Sequence, residues 1–135
     1  MGNRKIAIID EDKEFIKELE EVLAACGHES VVVHDARVAI DTIVHKKPDL
    51  ILLELVMPRK NGFELANEIS RKFESRRIPI IAMSVLVRKE FNWLLDLCGI
   101  NGYLRKPFHP LDVIWAIENA AVERSPLERL RNRCH

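Results

Sequence analysis

Short apolar runs alternate along this chain with longer stretches in which apolar residues recur every three or four positions. Runs of this kind, closed by Gly, Pro or charge, read as buried strands, and the spacing between them reads as amphipathic helix. Lys5 to Ile9 is the first strand and stops at Asp10-Glu11-Asp12. Phe15, Ile16, Leu19, Val22, Leu23 and Cys26 then mark a helix that Gly27 ends. Val31 to Val33 is a second strand, and Asp35 caps a helix carrying Val38, Ala39, Ile40, Ile43 and Val44, which must finish before Pro48. The longest run, Asp49 to Pro58, is interrupted only by Glu54, which therefore stands at the carboxyl end of a third, central strand.

After Asn61-Gly62, Phe63, Leu65, Ala66, Ile69 and Phe73 predict a third helix. Ile78 to Met83 is a fourth strand with Pro79 near its start, where a missing donor is tolerated. A fourth helix runs from Leu86 to Cys98, stopped by Gly99, with Val87, Phe91, Leu94 and Cys98 facing inward. Tyr103 to Lys106 is the last strand, and Leu111 to about Val122 the last helix, with Ile114, Ile117 and Ala121 as its core positions. Strands alternating with helices over short loops predict an α/β fold, a parallel sheet covered on both faces. Ser125-Pro126-Leu127-Glu128 is a capping-box pattern that starts a short helix or else belongs to a frayed end. The expected division is a domain over residues 1–124 and a tail or linker helix over 125–135.

The 135 residues, 47% hydrophobic, suffice for one well-packed domain. Lys and Arg number 21, as do Asp and Glu, so the balance indicates neither a nucleic-acid footprint nor a membrane-surface patch. Cys26, Cys98 and Cys134 lack paired metal spacing, which fits reduced thiols in a cytosolic protein. No signal peptide or spanning segment is read.

In this architecture Asp10, Glu11, Glu54, Ser84 and Lys106 all fall at or just past the carboxyl ends of their strands, the edge at which open α/β sheets bind ligands. Carboxylates beside a hydroxyl and an ammonium suit Mg²⁺, which takes a few carboxylates and completes its octahedron with water and phosphate. Singly, each has a plainer reading. Asp10-Glu11-Asp12 is also a solvated helix start favoured by the macrodipole, and Ser84 an ordinary loop hydroxyl.

The chain resembles the receiver domains of two-component response regulators over roughly residues 4 to 122. The resemblance rests on Ile8-Ile9-Asp10-Glu11, on Leu52-Leu53-Glu54-Leu55-Val56-Met57-Pro58 with Gly62, on Ile78-Pro79-Ile80-Ile81-Ala82-Met83-Ser84, and on Gly102-Tyr103-Leu104-Arg105-Lys106-Pro107-Phe108. It implies a flavodoxin-like, doubly wound five-stranded sheet in the order 2-1-3-4-5 and a cis Lys106-Pro107 bond. It further implies that Asp10 and Glu11, with the Val56 carbonyl, hold Mg²⁺, and that Ser84 and Lys106 grasp a phosphoryl group delivered by a histidine kinase. Tyr103 matches the aromatic whose rotamer reports the signalling state.

The family places its phosphate-accepting aspartate where this chain has Glu54. A carboxylate nucleophile must sit in line at about 3–3.5 Å, and one more methylene displaces it by about 1.5 Å. That displacement spoils the attack and carries the charge towards Ser84 and Lys106, where a phosphoryl group would lie. Val85, β-branched where the family has a small residue, crowds the donor's approach. The expectation is a non-enzymatic pseudo-receiver, unphosphorylated at Glu54, held near one state by a Glu54–Lys106 ion pair and binding Mg²⁺ weakly. The alternatives are a Glu54 that points idly at solvent, or a Mg²⁺-dependent phosphoacceptor using this site or His34, His45 or His109. A flavin or nucleotide carrier is further off, because no Gly-rich phosphate loop follows the first strand.

Leu86, Trp93 and Leu97 on the fourth helix and Trp115 on the last lie off the core faces, which marks an interaction surface unless the tryptophans roof the core edge. The resemblance implies a signalling partner or a second copy docking on the face made by the fourth helix, fifth strand and fifth helix.

Overall fold

The computed structural model describes residues 3–85 and 88–120. Strands β1 (Lys5–Ile9), β2 (Glu29–Val33), β3 (Leu50–Glu54), β4 (Ile80–Ser84) and β5 (Gly102–Arg105) form one parallel sheet in the order β2-β1-β3-β4-β5. Helices α1 (Lys13–Ala25), α2 (Ala39–Lys46), α3 (Gly62–Lys72), α4 (Asn92–Leu97) and α5 (Pro110–Ala120) alternate with them. This is the doubly wound, flavodoxin-like arrangement expected.

The strands of the sheet's centre are apolar throughout because both of their faces are covered. Side chains alternate between those faces. Ile6 and Ile8 of β1, Leu50 and Leu52 of β3, Ile81 and Met83 of β4 and Leu104 of β5 pack with Ile16, Leu19 and Leu23 of α1 and Val113 and Ile117 of α5. Ala7, Ile9, Ile51, Leu53, Ile80 and Ala82 pack on the other side with Ile43, Leu65, Ala66, Ile69, Leu95 and Cys98. Continuing the alternation past the last apolar residue of each strand sends Asp10, Glu54 and Lys106 to the α1/α5 side. Ser84 goes to the α2–α4 side.

Local chemistry fixes where the helices start and stop. Asp12 accepts from the Phe15 N–H at the start of α1, and Asn61 accepts from the Phe63 and Glu64 N–H groups at the start of α3, each satisfying donors that the first helical turn cannot. Gly27 and Gly99, at φ +84° and +79°, end α1 and α4 in the left-handed conformation. Gly62 serves a different purpose. A Cβ there would stand 2.6 Å from the Glu54 carbonyl oxygen and collide with Leu55, so only glycine lets α3 begin against the end of β3.

Several boundaries differ from the sequence reading. β2 begins at Glu29 because its first residues pair with Lys5 and Ile6 at the sheet edge, where polar side chains are tolerated. β4 begins at Ile80, after Pro79, and the Ile80 N–H bonds to the Asn101 side chain. β5 starts one residue early, at Gly102, and leaves Lys106 outside the strand with its N–H on the Ser84 carbonyl at 2.9 Å. Asp35 caps a 3₁₀ turn, Ala36–Val38, that runs on into α2.

The largest correction concerns the fourth helix. A 3₁₀ turn, Lys89–Phe91, precedes an α4 of only six residues, and Leu86 and Val87 lie outside the described residues. Its inward face is centred on Leu95 and Cys98 with Leu94 partly buried, whereas Phe91 is 39% exposed. In α5 the buried residues are Val113 and Ile117, with Ile114 only partly covered, and Ala121 lies outside the described residues. The capping-box segment from Ser125 onward also lies outside them. Among the described residues no helix is long and apolar enough to cross a membrane.

Candidate functional site

The alternation that packs β1, β3 and β5 brings three charged side chains to one point at the carboxyl edge. Lys106 Nζ donates to Asp10 Oδ2 at 2.7 Å and meets Glu54 Oε1 at 2.8 Å. All three are largely removed from solvent, with 14%, 4% and 10% of their side chains exposed. The other oxygens are engaged as well. Glu54 Oε2 accepts from the Val56 N–H at 3.0 Å, and Asp10 Oδ1 from the Asp12 N–H at 3.0 Å. A buried carboxylate is stable only when paired and hydrogen-bonded, and both of these are.

Burial of the Lys106 ammonium favours its neutral form, but its hydrogen bonds to Asp10 and Glu54 and their charges outweigh that, so its pKa lies above the usual lysine value. The ammonium has a third neighbour. Lys106 Nζ stands 3.9 Å from the centroid of the Phe15 ring, and Phe15 meets Phe108 edge to face at 5.7 Å and 88°. Phe108 follows the cis Lys106-Pro107 bond, so the chain that supplies the ammonium also supplies the ring that braces Phe15.

The alternative of an idle Glu54 pointing at solvent is thereby overturned: the residue is 8% exposed and ion-paired. Ser84 is buried, but on the other face of the sheet, where it lines an apolar cleft of about 130 Å³ with Leu55, Val56, Phe63, Phe91, Leu94 and Leu95. Val56 and Val85 are exposed, and Tyr103 is 38% exposed. His34, His45 and His109 lie on the surface, with ring nitrogens of His45 and His109 on nearby backbone groups.

For a divalent cation the donor set is divided. Among the described residues no three His, Cys, Asp or Glu side chains stand together as metal ligands. Asp10 and Glu54 are drawn onto Lys106 instead. Glu11 Oε2, however, is buried without a hydrogen-bond partner among the described residues. An orphaned buried oxygen is what a cation or its hydration shell would satisfy, so Glu11 and the neighbouring Asp10 retain an incomplete fit to a metal.

Three groups around this edge were not read from the sequence as part of it. Phe15 was visible only as a core position of α1. Arg37 holds Asp35 through two guanidinium nitrogens, at 2.7 Å for the shorter contact, and Arg59 approaches the same carboxylate at 3.6 Å. The Arg37 hydrogen bonds hold the Asp35 pKa down to about 2. The pattern Asp35-x-Arg37 after a strand carried that signal, since a cap residue and an arginine two positions on can share one carboxylate.

A family model for the response regulator receiver domain matches residues 6–118. The chain belongs to that family. Chemotaxis protein CheY4 of Vibrio cholerae has the same fold, with a TM-score of 0.82 at 21% identity over 88% of this chain and 99% of its own. A two-component response regulator from Clostridium difficile is 28% identical, with a TM-score of 0.75 over 87% of this chain and 93% of that one. The receiver domain of Francisella response regulator 1452 is 26% identical, with a TM-score of 0.79 over 88% and 97%. Response regulator receiver domains are signalling domains of two-component systems, interact with histidine kinases and other partners, and typically bind Mg²⁺ at the phosphorylation site. In this receiver domain the Glu54 carboxylate, at the carboxyl end of β3, is ion-paired with Lys106.

Proposed function

We propose that this receiver domain is an atypical one, unphosphorylated at Glu54, that signals through protein contacts in a state set by its own side chain. The observation that carries the reading is the two-ended hold on Glu54, with Oε1 on Lys106 at 2.8 Å and Oε2 on the Val56 N–H at 3.0 Å. A nucleophile needs a free oxygen in line with the leaving group. Neither oxygen here is free, and the extra methylene places the carboxylate against the ammonium that a phosphoryl group would otherwise claim. Glu54 brings one negative charge where a phosphoryl group brings nearly two, so it stands in for part of that charge only.

Mg²⁺ binding in this reading is weak and rests on Asp10, Glu11 and the Val56 carbonyl, because one Asp10 oxygen is spent on Lys106. The orphaned Glu11 oxygen is what favours some residual affinity. The partner surface is the face of α4, β5 and α5. Trp93, Leu97, Leu111 and Trp115 are 65–71% exposed and Tyr103 is partly so, which supports docking of a signalling protein or a second copy there. Residues 1–124 form the receiver in this proposal, and 125–135 a tail or the start of a linker.

Incubation with acetyl phosphate and Mg²⁺ followed by intact mass measurement tests the central point. The expected spectrum is unchanged; an adduct of one phosphoryl group that disappears in Glu54→Gln would show a working phosphoacceptor instead. For the surface, Trp93→Glu should reduce self-association or partner binding in ultracentrifugation. An unchanged sedimentation profile would remove this face from the account.

A further inference from the structure

The Lys106 ammonium has three donors, and two are taken by Asp10 and Glu54. The Phe15 ring faces the ammonium at 3.9 Å and is itself packed perpendicular to Phe108. An incoming phosphoryl group must take a lysine donor, and at this site it would have to displace either a carboxylate or an aromatic face. We propose that Phe15 is a positioning residue that closes the site a second time, by holding Lys106 against its carboxylates independently of the length of Glu54. The inference rests on the reading of Glu54 as an unmodified acceptor, and it makes a separate claim about what shortening Glu54 would restore.

The attraction between an ammonium and an aromatic face depends on the ring's π electrons, which a branched aliphatic side chain of similar bulk does not provide. Leucine at position 15 would keep the apolar contact with Phe108 and release the ammonium. Tyrosine would keep both. The role is therefore separable from simple packing, because packing is served by leucine and the hold on Lys106 is not.

The test uses the Glu54→Asp background, in which the acceptor carboxylate has the length usual in the family. The reaction scored is attack by one oxygen of the shortened side chain on the phosphorus of acetyl phosphate, with Mg²⁺ added. A new oxygen–phosphorus bond forms, the bond from phosphorus to the acetyl oxygen breaks, and acetate leaves with that electron pair. Glu54→Asp/Phe15→Leu should label about thirtyfold faster than Glu54→Asp, the rate equivalent of a desolvated ammonium–ring contact. Glu54→Asp/Phe15→Tyr should stay as slow as Glu54→Asp. In the otherwise unaltered chain, hydrogen exchange of the Lys106 ammonium should quicken in Phe15→Leu and stay slow in Phe15→Tyr, a readout that a packing role, which leucine preserves, would leave in place. Equal labelling rates with phenylalanine and leucine at position 15, or a tyrosine variant as fast as the leucine one, would overturn the proposal. Labelling of the unaltered Glu54 would instead count against the reading of the acceptor, so the two failures are distinguishable.

Discussion

Replacing Lys106 with methionine keeps most of the apolar stem of the side chain and removes the one charge that Asp10 and Glu54 share. The two carboxylate oxygens lie 2.7 and 2.8 Å from a single nitrogen, so they stand within about 5.5 Å of each other. At an effective dielectric constant near 20, two unit charges at that separation repel by about 3 kcal/mol. Removing one partner of a buried ion pair costs about 3–5 kcal/mol by general experience, which agrees with that figure. A domain stable by about 5–15 kcal/mol survives the change but is much weakened. The assay is urea denaturation followed by circular dichroism at pH 7; Trp93 and Trp115 are too exposed to report core unfolding well by fluorescence. A loss under about 1 kcal/mol at pH 7 would refute the claim that the ammonium holds two buried charges.

In the unaltered protein Lys106 itself is linked to pH at the alkaline end of the scale: its pKa is raised in the folded state, so its contribution is complete below the ordinary lysine value and disappears as pH rises through the folded one. Alkaline urea titrations should show a loss that Lys106→Met lacks. Asp35, held down to about 2, behaves oppositely. Its hold on Arg37 should persist above the ordinary carboxylate range and fail as pH falls through about 2, seen as movement of the Arg37 Nε–H resonance that Asp35→Asn abolishes. Gly62→Ala should cost about 1–3 kcal/mol by driving a Cβ into the backbone of Glu54 and Leu55, measured as a drop in Tm. Trp93→Ala and Trp115→Ala, at 65% and 66% exposure, should change Tm-derived stability by no more than about 0.5 kcal/mol.

The alternation of strands and helices and the charged edge were legible because two simple periods determine them, whereas the strand order followed from the resemblance to receiver domains. Buried parallel strands must be apolar on both faces, so Glu54 at the end of Leu50–Leu53 announces an edge, and the period of two puts it beside Asp10 and Lys106. The same period, followed one strand further, would have sent Ser84 to the opposite face. The start of the fourth helix was not legible: Arg88-Lys89-Glu90 fits a helix surface as well as a turn, and no capping side chain marks Asn92. Phe91 ends the preceding 3₁₀ turn and is 39% exposed, while Leu95 joins Cys98 and the partly buried Leu94 on the inward face. Phe15 was missed for another reason. Helical spacing places it on the inner stripe of α1, but which side chain of a distant strand it meets depends on how α1 lies across the sheet. Local pattern carries no record of that angle.

The account turns on the Lys106 ammonium being committed to Glu54, and nitrogen NMR of that side chain reads the commitment directly. In the unaltered protein the Lys106 Nζ resonance should be displaced by Glu54→Gln and indifferent to acetyl phosphate with Mg²⁺. A Lys106 signal that ignores Glu54→Gln, or that moves with the phosphoryl donor as phosphate appears on the protein, would contradict the account.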